Sequence, residues 1–525
     1  MKILIISMGG TPTTFGNCEG SNYKYGNPSV EYLTSYLRSK NKFPINTIFL
    51  NKPNIDGDFL NEIDPTYDIY GIFVDIAHFA EALRVFEHIK KNNINTVTFA
   101  FGRVASYCTE ILLASCKAID YVIIGDPEDP AQKIIDSVTL GNVKVDETIA
   151  VVNDSRNKKY ALFDQDVNRW PCFDYYENDS TERNKQKIHC LTTKSDTCSG
   201  KCNFCWSVKK KLFFKDEERI FYEIEYVSRV YGIRHFYFID NNLFDFKMYG
   251  NKERLLSLFN RIKALNRNLL FTALANTKSI VEADRDLYIL MKEIGFYSLF
   301  LGVDSGNSQD LELYNKKTTL IENHNALKIL KEIGIWVRYG FIYFNPFSTL
   351  KTIRENFEFL CFEKSANIYH YGSLRMIIFE NTKFKEMVQA QELLGKGYCG
   401  IDVYNYRFMS DICEQYYDFI SKTLVPLLEK SIQTPYLKLK KNYEMAKVIN
   451  PEIIRYQKTM EQIEEQEYNL IRDYFYQLYV NNDIDWCINK LERFVSDMKN
   501  NAKGNDELLK IFEKSWLNAP LEKEC

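Results

Sequence analysis

The chain alternates short apolar runs of strand length with amphipathic helical segments, and it does so in two successive arrays. Strands that alternate with helices at this spacing predict α/β domains built on parallel sheets. The first array predicts a doubly wound sheet, which binds ligands at the carboxyl ends of its strands, here the loops after Ser7, Val74 and Phe101. Its strand-like runs lie at residues 2–7, 45–50, 70–74, 96–101 and 121–124.

The second array follows a polar connection. Helical patterns separate its apolar runs, and six β/α units of this kind predict a partial (β/α)6 barrel. Catalytic groups are then expected where the strands end. The runs lie at residues 188–192, 236–239, 269–273, 298–303, 336–342 and 374–379.

Beyond about residue 390 the strand pattern stops, and amphipathic patterns at 410–428, 468–479 and 485–498 predict helices. The fold class expected is therefore α/β with a helical C-terminal module. The predicted domains are a doubly wound domain at 1–140, a connecting segment with a small hairpin at 141–186, the partial barrel at 187–390 and the helical module at 391–525.

Composition narrows the class of protein. Lys and Arg total 67 against 70 Asp and Glu, a net charge of −3, so a nucleic-acid partner is not expected. No run approaches 18 apolar residues, so no membrane helix is predicted. The first residues predict a buried strand rather than a signal peptide. Thirteen cysteines, an odd number, indicate the reducing cytoplasm, where clustered thiols are more often metal ligands than disulfides.

One cluster of cysteines carries chemistry. Cys198, Cys202 and Cys205 form a Cys-x3-Cys-x2-Cys pattern just after the first predicted barrel strand. Iron–sulfur cubanes normally take four cysteines, so three thiolates on one loop leave one iron open to another ligand. An open metal position is typical of a catalytic site. The alternative is a structural zinc site completed by His189 or Cys190.

The loop resembles the radical SAM superfamily, whose signature is Cys-x3-Cys-x-aromatic-Cys, with Phe204 at the aromatic place. The resemblance extends over about 190 residues. It implies a [4Fe-4S] cluster on Cys198, Cys202 and Cys205 that binds S-adenosylmethionine (SAM) at its open iron. One-electron cleavage of SAM then gives a 5′-deoxyadenosyl radical, which abstracts hydrogen from a substrate.

The same resemblance implies further cofactor-binding residues. Asp240 and Asn241 follow the second barrel strand, where an acidic residue of the family helps to bind the amino group of SAM. Asp304 and Ser305 lie in a segment similar to the family's Gly-Val-Glu-Ser-Gly, with the shorter Asp replacing Glu. Lys316 fits a lysine that follows in many relatives. The alternatives are solvated loop carboxylates for the two aspartates and a charged surface turn for the lysine.

The first 130 residues resemble the cobalamin-binding domain that precedes many radical SAM domains, through the segments 2–8, 27–33 and 119–128. Two departures stand out. The chain has no Asp-x-His-x-x-Gly, and His78 has the wrong spacing to serve as lower cobalt ligand, so it is expected to cap or pack. Phe101 precedes a single glycine where relatives show paired glycines, and it would hinder close approach of the nucleotide tail.

The resemblance implies three cofactors: a [4Fe-4S] cluster, SAM and, where the first domain has kept its ligand, cobalamin. With cobalamin, the expected activity is methyl transfer to an unactivated carbon or a phosphinate in natural-product or peptide maturation. Without it, the expected activity is peptide modification by epimerisation or thioether formation. The third alternative is a zinc-stabilised binding protein. The expected partners are a flavodoxin- or ferredoxin-type electron donor and a small-molecule or peptide substrate.

Overall fold

The structure is a computed structural model. It describes residues 1–8, 25–50, 58–141, 149–152, 170–177, 184–194, 198–205, 214–247, 250–365, 372, 374–398 and 403–522. No helix in these ranges combines the length and the apolar character needed to cross a lipid bilayer.

The N-terminal domain is a parallel sheet with the strand order β2-β1-β3-β4-β5-β6. Apolar cores lie on both faces of the sheet, which is why its strands are almost continuously hydrophobic. The strands are β1 (Ile3–Ser7), β2 (Ile45–Phe49), β3 (Ile69–Phe73), β4 (Val97–Phe101), β5 (Tyr121–Ile124) and β6 (Ile149–Val152). The helices are α1 (Pro28–Lys40), α2 (Phe79–Asn92), α3 (Arg103–Tyr107), α4 (Thr109–Ser115) and α5 (Glu128–Thr139).

The doubly wound sheet predicted from the sequence is confirmed, with one strand more than expected. β6 lies in the segment predicted to hold a small hairpin, but it pairs parallel to β5 and extends the sheet. The short helix α6 (Asp174–Glu177) follows in the same connection.

The second sheet contains five parallel strands in the order β11-β10-β9-β8-β7. Helices pack on its outer face in the largest core of the molecule. The strands are β7 (Ile188–Leu191), β8 (His235–Phe238), β9 (Leu270–Asn276), β10 (Phe296–Asp304) and β11 (Trp336–Phe341). The helices are α7 (Glu217–Tyr231), α8 (Asn251–Ala264), α9 (Thr277–Glu282), α10 (Arg285–Ile294), α11 (Ser308–Leu313), α12 (Leu320–Ile333), α13 (Leu350–Phe362) and α14 (Lys383–Ala390).

The sixth predicted strand, at 374–379, is reduced to isolated bridge residues, and one of these, Arg375, forms a parallel bridge with Phe344. The backbone N–H of Met376 donates to the carbonyl of Phe344 at 2.6 Å, so this segment still lies beside the chain that leaves β11. On the opposite edge, Tyr25 from the N-terminal domain forms a parallel bridge with Ile188 of β7. The N-terminal domain therefore packs against the open edge of the partial barrel.

The C-terminal module is mostly helical. It also contains a hairpin that the sequence did not predict, formed by β12 (Leu394–Tyr398) and β13 (Val403–Tyr406). The predicted helix at 410–428 is interrupted by a π-helical turn at Ile420–Leu424. The helices are α15 (Asp411–Phe419), α16 (Val425–Ser431), α17 (Tyr436–Ile449), α18 (Gln457–Tyr479), α19 (Ile484–Asn501) and α20 (Asn505–Leu517).

This module closes the amino end of the barrel sheet. Residues of α17 and α20 share one core with Leu270 and Tyr297, which lie at the starts of β9 and β10. The guanidinium of Arg234, just before β8, donates to the carbonyl oxygen of Trp516 at 2.6 Å. The carboxyl end of the sheet, where the cysteine loop lies, is the opposite end.

Gly295 connects α10 to β10, and replacing it with alanine tests how tightly this junction is packed. Its φ is +109°, and an added Cβ would lie 2.1 Å from the carbonyl oxygen of Leu269. Gly504 has a φ of +93°, but no atom lies within 4 Å of such a Cβ. Gly504→Ala should therefore cost only the left-handed backbone term, about 1–2 kcal/mol. Gly295→Ala should lower the melting temperature considerably more, and equal melting temperatures would contradict the packing.

Candidate active site

Three cysteines lie on the loop after β7, at the carboxyl end of the barrel sheet. Cys198 and Cys202 are partly buried, Cys205 is exposed, and none of the three forms a disulfide with another described cysteine. The sulfurs of Cys198 and Cys202 flank Gly200, at 3.3 and 3.9 Å from the position of an added Cβ. The structure thus places these two thiols on one side of the loop, with Cys205 close enough to Cys202 to affect its pKa.

The loop is tied to the segment that follows α11. The backbone N–H of Asn203 donates to the carbonyl of Tyr314 at 2.8 Å, and its side-chain amide donates to the carbonyl of Leu313 at 2.8 Å. In return, the amide of Asn315 donates to the carbonyl of Lys201 at 2.6 Å. These bonds fix the backbone between Cys198 and Cys205 against the end of the fourth β/α unit.

Phe204, the predicted aromatic of the signature, adds an apolar contact to these hydrogen bonds. Its ring packs edge-on against Tyr314, with centroids 5.6 Å apart and planes at 85°. Tyr314 is completely buried, so the contact holds the cysteine loop close to the core. Phe204 therefore anchors the cysteine loop through its contact with Tyr314.

Electrostatics at the loop favour neutral thiols. Burial raises the pKa of Cys202 to about 11, although the ammonium of Lys316 acts in the opposite direction. Burial also raises the pKa of Cys198, opposed by a hydrogen bond from the Gly200 backbone N–H. Metal binding deprotonates thiols, because the metal's positive charge replaces the missing solvation. The thiols of Cys198 and Cys202 therefore fit a metal-containing group, whose positive charge would stabilise their thiolate forms.

The two residues predicted after β8 lie at the same end of the sheet. Both carboxylate oxygens of Asp240 accept the backbone N–H of Thr193 at 3.1 Å, and one also accepts that of Lys194 at 3.1 Å. Asp240 is buried, so the alternative of a solvated carboxylate is wrong. Its carboxylate ties the start of the cysteine loop to β8. Asn241 is half-buried in the adjacent turn.

Asp304 and Lys316 form an ion pair at the end of β10. Burial lowers the pKa of Lys316, but the carboxylate of Asp304 and the nearby thiols of Cys202 and Cys198 outweigh it, so the net shift is upward. The ammonium is therefore charged and lies beside the cysteine loop. Asp304 is not a solvated loop carboxylate, because it is buried. Lys316 does not lie on a charged surface turn, because its side chain is only 12% exposed.

Ser305 differs from its neighbour. Its hydroxyl donates to Asn356 at 2.9 Å and to Asp310 at 3.2 Å, inside the protein rather than toward the loop. Asp310 also accepts the amide of Asn345, on the loop after β11, at 3.0 Å. This buried carboxylate joins the loops after β10 and β11. Sequence reasoning missed it, because its partners come from distant segments and only the fold brings them together.

The two residues that would complete a zinc site, His189 and Cys190, make other contacts. The two ring nitrogens of His189 already bond to Tyr176 at 2.7 Å and to Glu223 at 2.8 Å. Cys190 packs with Ile188 and Tyr237 on the inner face of the barrel.

At the N-terminal domain, the predicted obstruction by Phe101 is wrong. Its ring is fully buried beside Phe99 and Phe73, in the core beneath α1 and α5. The loop after β4 instead exposes the backbone around Gly102, whose φ of +107° only glycine adopts easily. His78 lies at the N-cap of α2, but its side chain makes no capping hydrogen bond.

Comparison with known proteins identifies the class of the barrel. Residues 192–360 match the model of the radical SAM superfamily. The predicted resemblance to the radical SAM superfamily is therefore confirmed over these residues. The matched residues begin just after β7 and end in α13, so they include the cysteine loop and the Asp304–Lys316 pair.

Curated relatives are distant. An uncharacterized methyltransferase of Pyrococcus horikoshii is 24% identical over 57% of this chain and 65% of its own length. The anaerobic magnesium-protoporphyrin IX monomethyl ester cyclase of Rubrivivax gelatinosus is 20% identical over 63% of this chain and 60% of its own. The 4′-phospho-dehydrooxetanocin synthase of Priestia megaterium is 22% identical over 64% and 48%. The chain thus spans about half to two thirds of the length of these relatives.

Solved structures confirm the fold. The cobalamin-dependent SAM radical enzyme OxsB, with aqua-cobalamin and SAM bound, superposes with a TM-score of 0.68 at 18% identity over 98% of this chain and 80% of OxsB. The radical SAM methyltransferase TsrM of Kitasatospora setae, with cobalamin and a [4Fe-4S] cluster bound, gives 0.53 at 14% identity over 69% and 73%. The predicted cofactors are those present in these similar structures.

The buried Asp310 yields a pH prediction. Burial raises its pKa from 3.8 to about 6, although hydrogen bonds from Asn345, Ser305 and Asn356 oppose the shift. Between pH 3.8 and about 6, Asp310 therefore keeps its proton in the folded state but loses it in the unfolded chain. The contribution of Asp310 to the free energy of unfolding is thus complete below pH 3.8 and is lost as the pH rises through about 6. Relative to Asp310→Asn, the wild type should lose up to about 3 kcal/mol over this window.

Thermal melts of both proteins between pH 4 and pH 7.5 measure this difference. Asp286→Asn, at an exposed position on α10, is the matched control and should run parallel to the wild type. A constant gap between wild type and Asp310→Asn across the window would show that Asp310 is ionised throughout.

Proposed function

We propose that this protein is a cobalamin-dependent radical SAM methyltransferase that acts on an unactivated carbon or a phosphinate of a natural product or peptide. One observation carries the proposal: the ligand-binding edges of the two parallel sheets meet. The amide of Asn381 donates to the carbonyl of Tyr107, at the carboxyl edge of the N-terminal sheet, at 2.8 Å. Three residues further on, the N–H of Phe384 donates to the carbonyl of Asn203 in the cysteine loop at 3.0 Å.

Cys198, Cys202 and Cys205 would hold three irons of a [4Fe-4S] cluster. Such a cluster would supply the electron for the reductive cleavage of SAM to a 5′-deoxyadenosyl radical. Asp304 and Lys316 offer a carboxylate and an ammonium beside Cys202, suited to the polar groups of SAM. Asp240 positions the loop through Thr193 and Lys194, and its predicted contact with the amino group of SAM stays a prediction.

The N-terminal sheet would hold cobalamin at its carboxyl edge. Gly102 on the loop after β4 has a φ of +107°, which glycine adopts easily, and the N–H of Gly125 on the next loop donates to the hydroxyl of Ser106 at 3.0 Å. No Asp-x-His-x-x-Gly is present, so cobalamin should bind without a histidine on cobalt. Labelling the histidines of the protein with ¹⁵N should then leave the electron paramagnetic resonance (EPR) spectrum of the Co(II) form unchanged, whereas a changed nitrogen superhyperfine splitting would contradict this binding mode.

The cysteine assignment has a matched control within the chain. Cys202→Ala should retain little iron after anaerobic reconstitution and release no 5′-deoxyadenosine from SAM. Cys361→Ala removes a partly buried thiol on α13, outside the loop, and should behave like the wild type in both assays. Turnover by Cys202→Ala, or equal iron loss by the two variants, would rule out this loop as the cluster site.

Methyl transfer is tested with SAM that carries a trideuterated methyl group. The enzyme, an electron donor of flavodoxin or ferredoxin type and cobalamin are incubated with a cell extract, and products are sought by mass spectrometry. The proposal predicts a product with the trideuterated methyl group, together with both S-adenosylhomocysteine and 5′-deoxyadenosine. A product without the label would rule out methyl transfer, and turnover that is independent of cobalamin would favour the cobalamin-free peptide-modifying alternative.

A further inference from the structure

The two ends of the cysteine loop meet in a short stem at the carboxyl edge of the barrel sheet. Lys194 and Phe214 form an antiparallel bridge there. The N–H of Lys215 donates to the carbonyl of Thr193 at 2.9 Å. The guanidinium of Arg254 on α8 donates to the hydroxyl of Thr193 at 3.0 Å and lies 4.6 Å from the centre of the Phe214 ring. A contact that fixes Lys215 therefore positions the cysteine loop from its base.

The ammonium of Lys215 extends from this stem into a buried ion pair. It donates to the carboxylate of Glu223 on α7 and to the phenol oxygen of Tyr32 on α1, in the N-terminal domain. The phenol in turn donates to Glu223 at 3.1 Å, so the three groups form a closed ring of hydrogen bonds. Lys215 is 1% exposed and Glu223 is 2% exposed. A tyrosine of one domain therefore completes a buried ion pair of the other.

The ionisation of Glu223 strengthens this ring. Burial raises the pKa of Glu223, but the ammonium of Lys215 and a hydrogen bond from His189 outweigh it and lower the pKa to about 2. The carboxylate is therefore charged at neutral pH, and hydrogen bonds to a charged group are about twice as strong as those between neutral groups. Because water does not reach this ion pair, loss of the Tyr32 hydroxyl would leave the carboxylate with one donor fewer and no replacement.

The helix that carries Tyr32 also reaches the ligand-binding edge of the N-terminal sheet. Asn27 is the N-cap of α1, and its side-chain amide donates at 3.0 Å to the hydroxyl of Ser7, the last residue of β1. Both side chains are buried. Tyr32 follows Asn27 by five residues, about 8 Å along a helix axis. The first turns of α1 thus join the carboxyl end of β1 to the base of the cysteine loop.

We propose that Tyr32 and Lys215 are positioning residues: with Glu223 they lock the ligand edge of the N-terminal sheet to the stem of the cysteine loop. They thereby set the distance between the groups bound at the two sites. Domains of one chain move relative to each other unless their interface restrains them, and a misplacement of about 1 Å can slow a reaction about a hundredfold. The inference rests on the proposed function for the identity of the bound groups, whereas the link itself stands on the hydrogen bonds of these residues.

Hydrogen–deuterium exchange of the cofactor-free, full-length protein tests the link. Tyr32→Phe removes the hydroxyl but keeps the ring and the ion pair, and exchange at the stem amides of Thr193 and Lys215 should become about tenfold faster. Tyr36→Phe is the matched control, one turn further along α1, because its hydroxyl donates to Asp129 within the N-terminal domain at 2.5 Å. This control should leave exchange at the stem at the wild-type rate. Lys215→Arg keeps the charge but displaces it from Tyr32, and should act like Tyr32→Phe.

EPR of the protein with cobalamin as Co(II) and a reduced cluster reports the distance between the two sites through the magnetic coupling of the two spins. Wild type and Tyr36→Phe should give the same coupling, and Tyr32→Phe a weaker or broader one at unchanged iron content. Stem exchange or a coupling in Tyr32→Phe equal to that of Tyr36→Phe would overturn the inference. Faster stem exchange in Tyr32→Phe, in a protein that binds no cobalamin, would retain the link and remove the proposed function.

Discussion

The arrangement of the whole candidate site depends on how the cysteine loop is held. Backbone and amide hydrogen bonds fix Lys201 and Asn203 to residues 313–315, and the carboxylate of Asp240 fixes the start of the loop to β8. Each bond joins segments that follow different strands, so the loop is positioned only when the parallel sheet has formed. Parallel strands end at one edge, and this brings the thiols, Asp304 and Lys316 to the same side.

The N-terminal domain and the C-terminal helices contact different sides of the barrel sheet. The N-terminal domain docks on the open side of the barrel, where Tyr25 pairs with Ile188, and its carboxyl edge reaches Asn381 near the loop. A buried network reinforces the contact, since Tyr32 of α1 donates to Glu223 of α7 at 3.1 Å. The C-terminal helices close the amino end of the barrel sheet through a core shared with Leu270 and Tyr297. The amino end of the sheet is thus covered by helices, and the carboxyl end carries the cysteine loop.

Sequence reasoning found the parts of this structure that local patterns encode. Apolar runs bounded by glycine located the buried strands, and periodicity alone gave the bounds of α10, Arg285–Ile294. It missed β6, a four-residue strand within a polar segment, and β12, where two glycines weaken the strand pattern. The cysteine spacing marked the loop. The role of Asp310 was hidden, because its burial and its partners from distant segments define it, and no short motif encodes them.

The most direct test of the central claim is the EPR spectrum of the reduced, reconstituted protein with and without SAM. Three thiolates on this loop should hold a four-iron cluster with one iron that lacks a cysteine, and SAM should bind there and change the spectrum. A spectrum unaffected by saturating SAM, or a colourless protein with one tightly held zinc, would contradict the account.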